Sequence, residues 1–398
     1  MVCHKIKAFN TSNNPSIEED AVCKPDITFY NAKTCDSRNP VTSFQRMEMF
    51  VEFKRGNTSD PFQSDNRQPF WKLFENTCAT RGQIILYSTR QQTYQFRTCT
   101  FSVGIFGNVA RLFRWDRAGA IVSEPIPYCE EGNHDLAEFF CRFDLMDRSQ
   151  RGWDPTVIDA TEEEATAFDN AIRAIVGEGQ NSLLSKLFDS VGNKDHYPRR
   201  RIEIPAGEDR DGEVVSYIIG RSIASAKSPT GRATRCFVAM SKDTGSLVFL
   251  KDSWRPNIDG MMGEAYWFRK AEGARNISSF LRGSDVPGVV VEKRTGSKNS
   301  CPVVPGSLQR TLTDLYSGKY DGLPGMVGYI HYRTVQSEFY VPLNMFKDSK
   351  HLTQIIHDVV IGMVPLLLLV SSPLKLPQRY RTYTIAGSSI ETSVLRTL

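Results

Sequence analysis

Residues 246–272, SLVFLKDSWRPNIDGMMGEAYWFRKAE, decide how the second half of the chain is read. Val248-Phe249-Leu250-Lys251 closes a run of branched and aromatic side chains that suits a strand. Gly263 to Glu272 then carries apolar residues at helical spacing. A lysine therefore ends a strand, and a helix with a glutamate in its first turn follows it. An ammonium so placed can pair both with nucleotide phosphates and with a carboxylate on the next helix. Glu264 is the natural partner; Glu272 is a less well placed second choice.

Working outward, EVVSYIIGRSIAS (213–225) and ATRCFVAM (233–240) supply two earlier strands, with turns at Pro229-Thr230-Gly231 and Asp243-Thr244-Gly245. GVVVEKRT (288–295) and VGYIHYRTV (327–335) complete a sheet of about five strands, and 349–360 reads as an amphipathic helix. Strand–turn–strand–turn–strand–helix resembles the N-terminal lobe of a protein kinase. In that reading the phosphate-covering loop is SPTGRATR (228–235). It keeps Gly231 but lacks the other glycines of the kinase loop, and Arg232 adds charge toward a phosphate. Phe249 stands where kinases carry a small residue beside adenine.

The first 150 residues form a different block. DITFY (26–30), EMFVEF (48–53), TCTFSVGIF (98–106) and ARLFRW (110–115) suit strands, and 71–86 and 135–143 suit helices. The period of two puts Glu52 and Lys54 on one strand face. Were Asp26 on the neighbouring strand, two carboxylates would meet an ammonium, a set able to hold a hard divalent cation and to activate water. Pro25-Asp26, Glu52-x-Lys54 and Gln83 on the following helix resemble the PD-(D/E)xK nuclease-like superfamily. The alternative leaves Glu52 and Lys54 as the solvent face of an amphipathic strand and Asp26 as a turn residue.

Residues 151–205 read as a helical connector, started at Thr161-Glu162-Glu163-Glu164, where a hydroxyl cap and carboxylates suit a helix N-terminus. The basic string HYPRRR (196–201) reads as solvated linker rather than a binding patch. Composition narrows the classes further. In 398 residues, 49 basic side chains against 45 acidic ones leave +4, too little for general attraction to nucleic acid or membrane. Nine cysteines with no C-x-x-C spacing argue against a disulfide framework or zinc site, and point to a reducing, intracellular compartment, cytoplasmic or nuclear. The N-terminus shows no secretory signal. The apolar run 359–370 has 12 residues, short of the ~20 that span a membrane.

Four longer strings, ARLFRWDRAGAIVSE (110–124), RGWDPTV (151–157), SPTGRATR and LVFLKDSWRP (247–256), are similar to the fungal-type protein kinase family over about 25–360. The resemblance implies Lys251 as nucleotide lysine, Glu264 as its partner, ATP and Mg²⁺ as cofactors, protein substrates, and serine/threonine phosphorylation as the ancestral activity. A kinase also needs the H-R-D and D-F-G loops for its base and metal ligands. The 398 residues contain neither string. Back-translated one frame over, Ala386–Val394 permits Gly-Ile-Leu-His-Arg-Asp-Ile-Ser, the catalytic-loop string of that family. Gly362-Met363-Val364 can encode a splice-donor-like site and Gln378 an acceptor-like end. A retained intron and frameshift would make 361–398 an aberrant tail; the alternative is an unrelated low-complexity tail.

The expected fold is therefore α+β. A PD-(D/E)xK nuclease-like domain (1–150) and the connector lead into a protein-kinase-like N-lobe (206–360) of about five antiparallel strands and one helix, with the C-lobe absent. The expected function is that of a serine/threonine protein kinase by descent, inactive in phosphoryl transfer as written. Two alternatives remain: a metal-dependent nuclease using Asp26, Glu52 and Lys54, and a non-catalytic pseudokinase scaffold that binds protein partners.

Overall fold

The computed structural model describes residues 5–18, 23–35, 41–63, 70–177, 197–205, 214–225, 228–273, 277–288, 308–319, 326–339 and 346–370. The chain is α+β, built on two separate sheets.

The first sheet runs in chain order: β1 (Ile6–Asn10), β2 (Ile27–Asn31), β3 (Met47–Lys54), β4 (Thr100–Phe106), β5 (Val109–Asp116) and β6 (Gly119–Val122). Its neighbours are antiparallel except β3 and β4, which are parallel because helix α1 (Glu75–Tyr94) crosses over between them. β3 is buried on both faces from Met47 to Glu52, as a central strand covered twice must be. Phe44, Phe50, Phe62, Tyr87, Phe113 and Trp115 pack on the α1 side. Helix α2 (Asp135–Leu145) covers the other face through Phe139, Phe140 and Phe143, which meet Ile6, Phe29, Met49 and Val103.

α1 runs eight residues beyond the 71–86 expected from apolar spacing, because its C-terminal half is buried through polar groups. Gln91 Nε2 donates to the carbonyls of Met47 and Glu48, and Gln95 Nε2, just past the helix, donates to those of Phe44 and Met47. A helix docked by amides carries no apolar stripe.

The second sheet has seven antiparallel strands in the order β12-β13-β11-β10-β9-β8-β7. They are β7 (Val157–Asp159), β8 (Arg200–Pro205), β9 (Val214–Ile219), β10 (Arg235–Ser241), β11 (Leu247–Pro256), β12 (Phe280–Asp285) and β13 (Tyr329–Gln336). Ile202, Ile204, Tyr217, Phe237, Leu250 and Val335 fill one face. Helix α3 (Glu162–Gly177) packs Phe168 and Ile172 on Ile218, Val238 and Met240 of the other. Helix α4 (Glu264–Lys270) follows β11, and helix α5 (Ser349–Val370) follows β13.

The region 151–205 thus supplies two strands as well as a helix. Ile202 and Ile204 alternate inward and are fully buried, which ties β8 into the sheet. The arginines of HYPRRR are correspondingly not a solvated linker: Arg199 meets Asp169 at 2.8 Å, Arg200 meets Asp159 at 2.7 Å, and Arg201 meets Glu164 at 3.2 Å. The strand expected at 288–295 lies almost wholly outside the described residues, and β12 precedes it. α5 continues through Pro365 beyond the expected end at 360, whereas 371–398 lie outside the described residues.

The two sheets meet through a buried polar junction. Arg333 contacts Asp154 at 2.5 Å and Asp252 at 2.9 Å; Arg235 and His331 meet Asp252 at 2.6 and 2.7 Å. Arg235 also donates to the Gln95 carbonyl and lies 4.0 Å over the Phe96 ring. Arg117 donates to the carbonyls of Gln92 and Pro229, while its own carbonyl accepts from Gly231 N–H. Burial, then the charge of Arg235, pulls the Arg117 guanidinium down to about 9. Asp116 accepts from the backbone N–H groups of Leu312 and Thr313. The four sequence strings that carry the family resemblance each place a residue here: Asp116 and Arg117, Asp154, Arg235, and Asp252.

Candidate functional site

Lys251 lies on β11 opposite Cys236 of β10 and Thr334 of β13. Alternation turns it away from its buried neighbours Leu250 and Asp252 and leaves its side chain 24% exposed. Its Nζ meets Glu264 Oε1 at 2.6 Å. Glu264 opens α4, where the helix dipole favours a carboxylate. Arg232 from the β9–β10 loop reaches the same oxygen at 2.6 Å. Three of the sequence-predicted residues, Lys251, Glu264 and Arg232, therefore converge, with two cations on one carboxylate and one positive charge left over.

Gly263 and Tyr332 set this geometry. A Cβ on Gly263 would stand 2.7 Å from the Tyr332 ring, so only glycine lets the helix start this close to β13. The Tyr332 hydroxyl accepts from Ala265 N–H at 2.9 Å, satisfying a donor of the first helical turn. Burial pushes the Tyr332 hydroxyl up to about 12. Beside Lys251, burial also raises the Cys236 thiol. No sequence signal marked Tyr332, because a tyrosine on a strand reads as core.

Gly231 contributes differently from the sequence expectation. Its φ of 87° makes a side chain costly there, but its N–H is taken by the Arg117 carbonyl at 2.8 Å. The loop is thus anchored to the first unit by its backbone, and it offers Arg232 as a side chain. Glu272 falls beyond the end of α4. Phe249 shares the sheet face of Lys251, two residues before it.

The second constellation also assembles. Lys54 Nζ meets Glu52 Oε1 at 2.6 Å and Gln83 Oε1 at 2.8 Å, and Gln83 donates to the Tyr87 hydroxyl. Asp26 Oδ2 accepts from the Phe53 N–H at 2.8 Å, next in sequence to Glu52. Glu52 is 2% exposed rather than on a solvent face, and its Oε2 is buried with no hydrogen-bond partner. Burial, reinforced by the charge of Asp26, raises the Glu52 carboxyl even against the pull of Lys54.

A strand-borne lysine gripping the glutamate of the next helix is an arrangement that protein kinases use to hold nucleotide phosphates. Comparison with known families agrees: the family described as fungal protein kinase matches residues 24–369, and the chain belongs to it. No curated protein and no solved structure matches the chain. Among the described residues, no helix is long and apolar enough to cross a membrane.

Proposed function

We propose that the chain holds ATP at Lys251 by the chemistry of a serine/threonine protein kinase and does not itself transfer the phosphate. The observation that carries this reading is the 2.6 Å pair between Lys251 and Glu264. Glu264 fixes the ammonium on the exposed side of the sheet. The surplus charge of Lys251 and Arg232 then faces solvent as a ready counter-charge for phosphates. Charge-assisted hydrogen bonds of this kind are about twice as strong as neutral ones. Protein hydroxyls are the acceptors that family membership implies.

The donor set fits the phosphates of ATP but not a resident metal. Among the described residues, no three His, Cys, Asp or Glu side chains cluster as a metal site. Beside Lys251 the Glu264 carboxylate is already held by Lys251 and Arg232, and no step is assigned to the Mg²⁺ that the family implies. What supports the inactive half of the reading is that these 398 residues contain neither the H-R-D nor the D-F-G string that carries base and metal ligands in kinases. The test is equilibrium binding of ATP beside a transfer assay with radiolabelled ATP, Mg²⁺ and a generic acceptor protein. Saturable binding without labelled acceptor is expected. Labelling lost on Lys251→Ala would overturn the inactive half of the reading; absence of binding would overturn the other half.

A second reading rests on the orphaned Glu52 Oε2. Asp26 and Glu52 would hold a hard cation such as Mg²⁺ with solvent completing its shell, as Mg²⁺ sites with one or two carboxylates do. Such an ion supplies Lewis-acid chemistry for phosphodiester hydrolysis. Lys54, steadied by Glu52 and Gln83, would orient the attacking water. Because binding to the native state stabilises it by mass action, millimolar Mg²⁺ or Mn²⁺ should raise the melting temperature of the native sequence and leave that of Glu52→Gln unmoved. Equal shifts in both would remove Glu52 from any metal site.

A further inference from the structure

A cleft of about 340 Å³ opens between the two units at the C-terminal end of α1, and neither Lys251 nor Glu264 lines it. Its size falls within the ~300–1,000 Å³ of small-molecule sites. Tyr94, Phe96 and Tyr197 form aromatic walls, and the charged lining is Arg200, Arg221 and Arg235 with no carboxylate. Tyr94 and Tyr197 stand 6.0 Å apart, ring centre to ring centre. Arg221 lies 4.8 Å over the Tyr197 ring and has no carboxylate partner among the described residues.

Arg235 closes the floor of the cleft, its charge paired with Asp252. It is only 6% exposed, and it spends its two terminal nitrogens on Asp252 and the Gln95 carbonyl. Its Nε is buried with no hydrogen-bond partner. Flat walls favour stacking against a planar ring, and guanidinium forks match phosphate oxygens. A ring alone would leave Arg221 unmatched, and a bare phosphate would leave the aromatic walls wet.

We propose that this cleft binds a nucleoside monophosphate. The base packs against Tyr94 and Tyr197, and the phosphate is held by Arg221. This site is independent of the one at Lys251, so the test uses the Lys251→Met chain, in which the other lysine is silent. Calorimetric titration with AMP should show saturable binding, weakened at least tenfold by adding Arg221→Ala, an exposed change, and likewise by adding Tyr197→Leu. Adenosine and inorganic phosphate should each bind at least tenfold more weakly than AMP. The proposal is overturned if AMP does not bind, if Arg221→Ala leaves binding unchanged, if phosphate alone binds as well as AMP, or if a phosphotyrosyl peptide binds more tightly.

Discussion

Asp252→Asn should cost the chain about 3–5 kcal/mol, the usual penalty for removing one partner from a buried ion cluster. Asp252 is 1% exposed and receives Arg235, Arg333 and His331. An amide keeps its shape but cannot balance two guanidinium groups that have left water. At roughly 2–4 °C per kcal/mol for units of this size, the melting temperature should fall by at least about 6 °C. The effect has a pH signature. Burial pushes the Asp252 carboxyl up, but the charges of His331, Arg235 and Arg333 outweigh it and hold the group well below the ordinary 3.8. A depressed native pKa contributes stability that is fully present above the unfolded value and is lost as pH falls through the native one. The native chain should therefore lose stability steeply below about pH 3.8, and Asp252→Asn should lose less there because it has already forfeited that contribution. Calorimetric melts at pH 7 and pH 3 check both; coincident melts at pH 7 would show that the junction does not hold the units together.

Lys251→Met should weaken ATP binding by tenfold or more, since a hydrogen bond to a charged group contributes about 1.5–3 kcal/mol. The same change should hardly touch folding. The pair with Glu264 is about one quarter exposed on each side, and such pairs contribute about 0–1 kcal/mol. Loss of binding with a melting temperature held within about 2 °C is the expected combination. Glu264→Gln should give a smaller loss, because it frees the lysine without removing it. Binding unchanged in Lys251→Met would place ATP elsewhere.

The Lys251–Glu264 pair was legible because its partners lie on a strand and the helix that follows it, both with clear periodicity, although β11 runs on to Pro256 instead of ending at Lys251. The period of two made Glu52 and Lys54 legible as strand neighbours, and Gln83 was marked by the resemblance to the PD-(D/E)xK pattern. The junction was not legible. Its contacts join residues far apart in the chain, 179 positions in the case of Asp154 and Arg333, and charged residues ordinarily read as surface. The strings RGWDPTV and SPTGRATR stood out as strings without revealing that both end at that seam. β7 and β8 were hidden for a related reason: arginines at 199–201 resemble linker until Asp169, Asp159 and Glu164 are brought to them. α1 was cut short because Gln91 and Gln95 bind carbonyls, a docking mode that leaves no hydrophobic period. Phe280–Asp285 (FLRGSD) likewise lacks the alternation that marks a strand, and its place is set by pairing with β13.

The most direct measurement is affinity labelling with an acyl phosphate of ATP, followed by peptide mass spectrometry. In that reagent an amine held at the phosphates attacks the acyl carbon, forms an amide, and releases the nucleotide. Lys251 should be the principal acylated lysine, and excess ATP should protect it. Labelling spread over surface lysines, or at Lys251 but indifferent to ATP, would contradict the assignment of Lys251 as the residue that holds the nucleotide.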